Sequence, residues 1–162
     1  MTKQILKSSE IAAMKGTTKT HFLNTNAVRV AKSLGDMTGL QGLGFHLVEI
    51  EPGRESTEYH LHHYEDECVY ILSGEGTVTL AGEDYPVSSG DFIGYPAGGD
   101  AHTMLNTGNV DLVCLVAGQR LDHDIADYPK LAKKLYRNNG HSELVDNKNI
   151  KTINLPKKLP VS

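Results

Sequence analysis

Four side chains able to hold a metal ion stand close together in the middle of the chain. His60 and His62 are separated by one residue, Glu67 follows five positions after His62, and His102 comes thirty-five positions later. Their surroundings read as strands, in which alternate residues project from one face roughly 6 to 7 Å apart at the backbone. Two imidazoles can therefore converge on one ion, with Glu67 adding a carboxylate at the start of the apolar run 68–72 and His102 as a fourth ligand. Three neutral imidazoles and one carboxylate suit one divalent transition metal, zinc, manganese, iron, nickel or copper, and lack the thiolates of a structural zinc site. Calcium and magnesium are disfavoured. In a six-coordinate ion, four protein ligands leave two positions for water, oxygen or a chelating substrate. The local charge of +1 attracts an oxygen-rich or anionic small molecule.

A His-x-His pair by itself equally describes hydrogen-bonded core histidines, so the company it keeps decides. Four residues separate His62 from Glu67, six separate Glu67 from Gly74, and a second block runs Gly90, Pro96, Gly98, His102, Asn106. This resembles the two-part signature of the cupin superfamily, a glycine-led His-x-His-x4-Glu-x6-Gly block followed by Gly-x5-Pro-x-Gly-x2-His-x3-Asn. Six residues instead of five lie between Gly53 and His60, and three instead of two between Gly98 and His102. Both insertions fall in turns, which can absorb a residue as a bulge. Within cupins, the run 64–70 and Asp127-Tyr128-Pro129 are similar to short bacterial proteins labelled sugar-phosphate-isomerase-like, whose activity is undefined.

The resemblance implies an all-β fold, the cupin double-stranded β-helix or jelly-roll barrel. One domain is expected: an N-terminal arm, 1–42, packing on the barrel; the barrel, 43–118; and a C-terminal loop, short helix and tail, 119–162. The function it implies is a metal-dependent small-molecule enzyme, a sugar or sugar-phosphate isomerase or epimerase. The alternatives are an iron-dependent dioxygenase and a non-catalytic module that binds or senses a small molecule. A metal that polarises a carbonyl needs a nearby base to move the proton. The protonatable candidates are Tyr64 and His46, whereas alternation turns Tyr59 and His63 away from the ligand face. The glycines at 74, 76, 90, 98 and 99 serve strand reversal, and no helix follows them to cradle a phosphate. That favours a plain sugar or hydroxy acid over a sugar phosphate.

The elements that must position these residues are short strands punctuated by Gly, Pro, Asp and Ser from Phe45 onward, the mark of an antiparallel sandwich or barrel. Ala81-Gly82-Glu83-Asp84 reads as a hairpin tip. The strand 112–117 is apolar at successive positions, which implies cover on both faces, the barrel core on one and the N-terminal arm or a second copy on the other, and a homodimer is expected. Residues 121–127 read as an acidic loop, and 129–136 as a helix with proline in its first turn. Arg54 and the histidines at 21, 123 and 141 read as surface residues, Asn106 as a structural hydrogen-bonder, and the tail from Asn147 as a surface segment.

Composition limits partners and place. Sixteen basic against twenty acidic residues, a net charge of −4, give no broad attraction to nucleic acid or anionic lipid. Tryptophan is absent, and a base-stacking platform is not indicated. Cys68 and Cys114 sit in apolar runs as core residues, the first residues carry no signal-peptide pattern, and no apolar stretch reaches membrane-spanning length. A soluble, reduced, cytoplasmic protein is expected.

Overall fold

The computed structural model describes residues 3–154. Two short helices, α1 (Ser8–Ala13) and α2 (Leu34–Thr38), accompany thirteen strands: β1 (Thr17–His21), β2 (Asn24–Ser33), β3 (Leu43–Ile50), β4 (Leu61–His62), β5 (Glu67–Ser73), β6 (Glu75–Leu80), β7 (Glu83–Ser88), β8 (Phe92–Tyr95), β9 (His102–Leu105), β10 (Leu112–Gln119), β11 (His123–Tyr128), β12 (Lys133–Asn138) and β13 (His141–Asp146). The architecture is the all-β jelly roll that the sequence implies.

One layer is a six-stranded sheet in the order β1-β2-β3-β10-β5-β8; the other strands form a four-stranded sheet, β13-β12-β11-β4, and a three-stranded sheet, β7-β6-β9. A single bridge joins the last two edge to edge. His60 donates its amide N–H to the His102 carbonyl at 3.1 Å, and His102 returns the bond at 2.7 Å. Val48, Ile50, Val69, Ile71, Val78, Met104, Leu112 and Cys114 are buried in one apolar cluster.

Alternation explains how these strands serve core and site together. On β5, Val69 and Ile71 are buried while Tyr70 and Leu72 remain exposed, so Glu67, at the same parity as Val69, enters the interior. The hairpin of β6 and β7 turns at Ala81 and Gly82, both with positive φ, as a two-residue turn between twisted strands requires. Gly74 is needed for another reason: its φ is +84°, and a Cβ there would stand 2.6 Å from the Asp111 carbonyl oxygen.

Two expectations change and one gains detail. The N-terminal segment, whose alternation over 20–30 allows an added strand, forms a hairpin of β1 and β2 that extends the large sheet through β2 and β3. The helix expected over 129–136 is one 3-10 turn, Pro129–Leu131, ended by Ala132 in the left-handed conformation. Lys133 to Asn138 then continue as β12, paired on both sides by β11 and β13. The acidic loop expected at 121–127 is largely β11, whose alternation buries Asp124, Ala126 and Tyr128. Beyond residue 154 the expected surface tail lies outside the described residues.

Asn106 is fully buried and ties three backbone groups: its Nδ2 donates to the carbonyls of Ile50 and Val110 at 2.7 and 2.9 Å, and its Oδ1 accepts from Gly108 N–H at 2.9 Å. Asn106→Ala leaves those groups unpaired, and denaturant unfolding is expected to show a loss of about 2 to 4 kcal/mol.

Candidate metal centre

The bridge between the two smaller sheets makes His60 and His102 direct cross-strand neighbours on one face, and His62 lies two residues along on that same face. The liganding atoms of His60, His62 and Glu67 all lie within 4.8 Å of one another. His102 joins them through Glu67, its Nε2 3.6 Å from Oε2, and through His60, with ring centroids 4.8 Å apart. The strand that carries His60 and His62 is short, only Leu61–His62 pairing regularly as β4. Between the bridges Glu55 to Leu105 and His60 to His102, five steps along one strand oppose three along the other. This irregularity lies in the segment that carries the extra residue before His60.

Each imidazole is oriented by its other nitrogen. His60 Nδ1 donates to the Glu58 carbonyl at 2.8 Å, His62 Nδ1 to Asp124 Oδ2 at 2.6 Å, and His102 Nδ1 to the Asp100 carbonyl at 3.3 Å. Those acceptors have no proton to give, so all three Nδ1 atoms carry hydrogen and all three Nε2 atoms present lone pairs. His60 Nε2 and His62 Nε2 therefore face each other at 3.1 Å with no proton between them. Two ligands at about 2.1 Å from an ion and at right angles stand about 3.0 Å apart. His102 Nε2 is buried with no hydrogen-bond partner, and its ring stacks on Tyr95 at 3.5 Å, within 2° of parallel. An unpartnered lone pair and a facing pair of lone pairs beside a carboxylate fit a divalent cation.

The electrostatics agree with a neutral His60 ring. Burial, reinforced by the rings of His102 and His62, pushes the His60 pKa down to about 3. Burial acts to raise the Glu67 carboxyl, but His102 and the other rings outweigh it and hold Glu67 below its usual value, hence ionised. Asp124 behaves likewise: burial raises it, and the hydrogen bond from His62 brings it below the ordinary range.

The cluster opens into a cavity of about 310 Å³ between the sheets, a size at the small end for ligand pockets. Apolar side chains of Val48, Ile50, Met104 and Val116 line part of its wall. Tyr128 lies beside His60 with ring centroids 6.0 Å apart, and burial, with Glu58 nearby, pushes its hydroxyl up to about 12.

The cupin domain family matches residues 46–118. A protein of solved structure from Acidithiobacillus ferrooxidans, provisionally named a sugar phosphate isomerase, is 56% identical, with a TM-score of 0.93 over 94% of this chain and 98% of that one. A sugar phosphate isomerase of the cupin superfamily from Silicibacter pomeroyi is 26% identical, with a TM-score of 0.75 over 85% and 89% of the two chains. The chain belongs to the cupin superfamily. It falls among the small cupins of the sugar-phosphate-isomerase-like group. An oxalate-binding protein from Thermotoga maritima is 40% identical over 68 residues, 42% of this chain and 54% of that protein. The cupin spans about half the length of the curated relatives it matches.

Within this cupin, the two candidate bases fare differently. His46 lines the cavity and belongs to a closed circuit: Ser33 Oγ lies 2.9 Å from His46 Nδ1 and donates to Asp36, Arg120 pairs with Asp36, and Arg120 Nη2 stands 3.5 Å from His46 Nε2. Because the Ser33 hydrogen is given to Asp36, His46 Nδ1 must donate, and Nε2 keeps its lone pair. Burial and the nearby Arg120 hold His46 below its ordinary pKa, in the neutral form. Tyr64, in contrast, is 58% exposed and does not line the cavity; its backbone N–H, at 3.1 Å from Asp124 Oδ1, is its link to the site. Strand alternation holds for Tyr59 and His63, which face Lys130 and Asp127 outside the cavity.

Sequence reasoning missed Asp124, the residue that orients His62. Reading 121–127 as a strand would have placed Asp124, Ala126 and Tyr128 on one inward face. It also missed Lys19, His21 and Arg29 on the cavity wall; His21, expected at the surface, is half-buried there. Arg54 is half-buried, within 3.3 Å of Asn26 Oδ1, and does not line the cavity.

Asp124→Asn can hold His62 only weakly and permits the wrong tautomer. Divalent-metal affinity, titrated calorimetrically with zinc or manganese, is expected to fall about 10- to 100-fold.

Proposed function

We propose that this cupin is a metal-dependent small-molecule enzyme acting on a sugar or sugar derivative as an isomerase or epimerase, with His60, His62, Glu67 and His102 holding one divalent transition metal. The observation that carries this reading is the convergence of three oriented Nε2 lone pairs and one carboxylate at a cavity open to small molecules. When bound, such an ion supplies Lewis acidity toward a carbonyl oxygen. The protein's own residues would do the rest. His46 Nε2 is the candidate to take and return the proton, with Ser33 and Asp36 holding its tautomer. Tyr128 keeps its hydroxyl proton at neutral pH and can donate a hydrogen bond to a ligand oxygen. The apolar wall limits water around the reacting carbons.

A second reading, a module that binds without turnover, is supported by the likeness to an oxalate-binding protein. As part of the same proposal the chain pairs with a second copy across the outer face of the large sheet, where Tyr70 and Phe92 are cross-strand neighbours and both exposed. A cytoplasmic location is supported by the free thiols of Cys68 and Cys114. No helix among the described residues is long and apolar enough to cross a membrane.

Elemental analysis of untagged protein, purified with and without air, is expected to find close to one metal per chain, and almost none in a folded His62→Ala, His102→Ala double variant. Metal absent from both, even after reconstitution, sinks the proposal. Zinc or manganese with oxygen-independent aldose–ketose conversion supports the isomerase, whereas iron with ligand-dependent oxygen uptake turns the reading to a dioxygenase. Ligand-induced thermal stabilisation without turnover of any candidate turns it to the binding module. In the isomerase, His46→Gln is expected to lower kcat about 100-fold or more with metal content and melting temperature unchanged.

A further inference from the structure

Lys19 on β1 and Arg29 on β2 are direct partners across the hairpin, and both side chains line the cavity. Like charges placed opposite each other destabilise an antiparallel pair. Several basic residues elsewhere on the barrel are paired with acids: Lys32 with Glu49, Arg120 with Asp36, Lys134 with Asp127 and Arg137 with Glu65. Among the described residues, neither Lys19 nor Arg29 has a carboxylate within salt-bridge distance. Arg29 is half-buried and spends one N–H on the Ser56 carbonyl, and burial lowers the pKa of its guanidinium. This is a like-charged pair, partly desolvated at Arg29, with no described carboxylate in contact; Glu67 acts on Arg29 only from a distance.

A third donor lies on the same face. His21 stands two residues beyond Lys19 on β1 and also lines the cavity. Its Nδ1 accepts the Leu23 N–H at 3.2 Å, so the neutral ring carries its hydrogen on Nε2 as a free donor. The wall is tied to the ligand cluster through one ring. His21 and Tyr128 have centroids 5.8 Å apart, and Tyr128 and His60 have centroids 6.0 Å apart. A molecule of a few carbons lying over Tyr128 could touch both ends.

We propose that Lys19, His21 and Arg29 form a phosphate-monoester subsite, so that the cavity takes a small phosphorylated polyol or sugar with its phosphate on the hairpin and its oxygen-rich carbon end at His60, His62, Glu67 and His102. Two cations and a neutral N–H donor match a dianion with three acceptor oxygens. Side chains of a hairpin here take the part that a glycine loop and helix N-terminus play elsewhere. The subsite itself needs only the hairpin, while the orientation of the carbon end rests on the proposed metal-dependent function.

The test is calorimetric titration with glycerol 3-phosphate, and with glycerol as the uncharged control. The samples are the parent protein, Arg29→Gln, Lys19→Gln, and the His62→Ala, His102→Ala double variant. Glycerol 3-phosphate is expected to bind the parent where glycerol does not, with affinity falling about tenfold or more in Arg29→Gln and about three- to tenfold in Lys19→Gln. The double variant is expected to keep the parent affinity within about threefold, since charged hydrogen bonds on the hairpin supply most of it. No binding to the parent, or equal binding in the parent and both hairpin variants, overturns the subsite. Binding lost only in the double variant puts the phosphate at the ligand cluster and overturns it too. Lys19 is exposed, so its variant remains informative if Arg29→Gln fails to fold. Hairpin-dependent binding in a protein that takes up no metal supports the subsite while removing the metal-dependent function.

Discussion

The pair of backbone hydrogen bonds between His60 and His102 is the constraint on which the site depends. It is the seam between the two smaller sheets, and its two bonds, 2.7 and 3.1 Å long, set two imidazoles side by side on the inner face. On one side of this seam, β4 is held by β11, which brings Asp124 to His62; on the other, β9 is held by β6. Across the interior, β5 presents Glu67, and its cross-strand partner Tyr95 stacks on His102. Slipping the seam by one residue would put the two imidazoles on opposite faces.

Burying such a group is unfavourable unless its polar atoms are satisfied, and the structure meets this condition on one side of each ring only. Every Nδ1 has an acceptor, so the rings cannot turn without losing a bond. His60 and His62 are left with their Nε2 atoms facing one another, His102 Nε2 lies beside Glu67 without a hydrogen bond, and desolvation keeps His60 from relieving the repulsion by protonation. The same asymmetry, lone pairs inward and hydrogens outward, is what a ligand cluster requires.

The N-terminal hairpin gives the cavity a different character on its far wall. Because β2 pairs with β3 at the edge of the large sheet, Arg29 and Ala31 continue the inward face formed by Val48 and Ile50, and β1 adds Lys19 and His21 beyond them. Residues outside the stretch matched by the family thus supply charged groups to the cavity wall. Specificity set by an added edge element leaves the ligand cluster and its orienting shell unaltered, which is how one fold can carry different substrates.

The four ligand candidates, the run of barrel strands and the tight hairpin at Ala81-Gly82 were legible in the sequence because they are local properties. Period-two alternation assigns a residue to a face, and glycine marks where φ must turn positive. The sequence also identified Asn106 as a structural hydrogen-bonder, although the carbonyl of Ile50, fifty-six positions away, could be found only in the fold. What lay beyond reach depends on pairing between distant segments. Asp124 reaches His62 across sixty-two positions because β11 pairs with β4. Pro129 begins a turn as its chemistry suggests, but Ala132 ends it, and the hydrogen bonds available from β11 and β13 draw 133–138 into a strand that helix periodicity could not foresee. The sequence by itself determined which residues could bind a metal and on which face of their strands they lie. Only the tertiary structure decided which acceptor orients each imidazole and which charges line the opposite wall, because cross-strand register is settled by the whole sheet and not by any one segment.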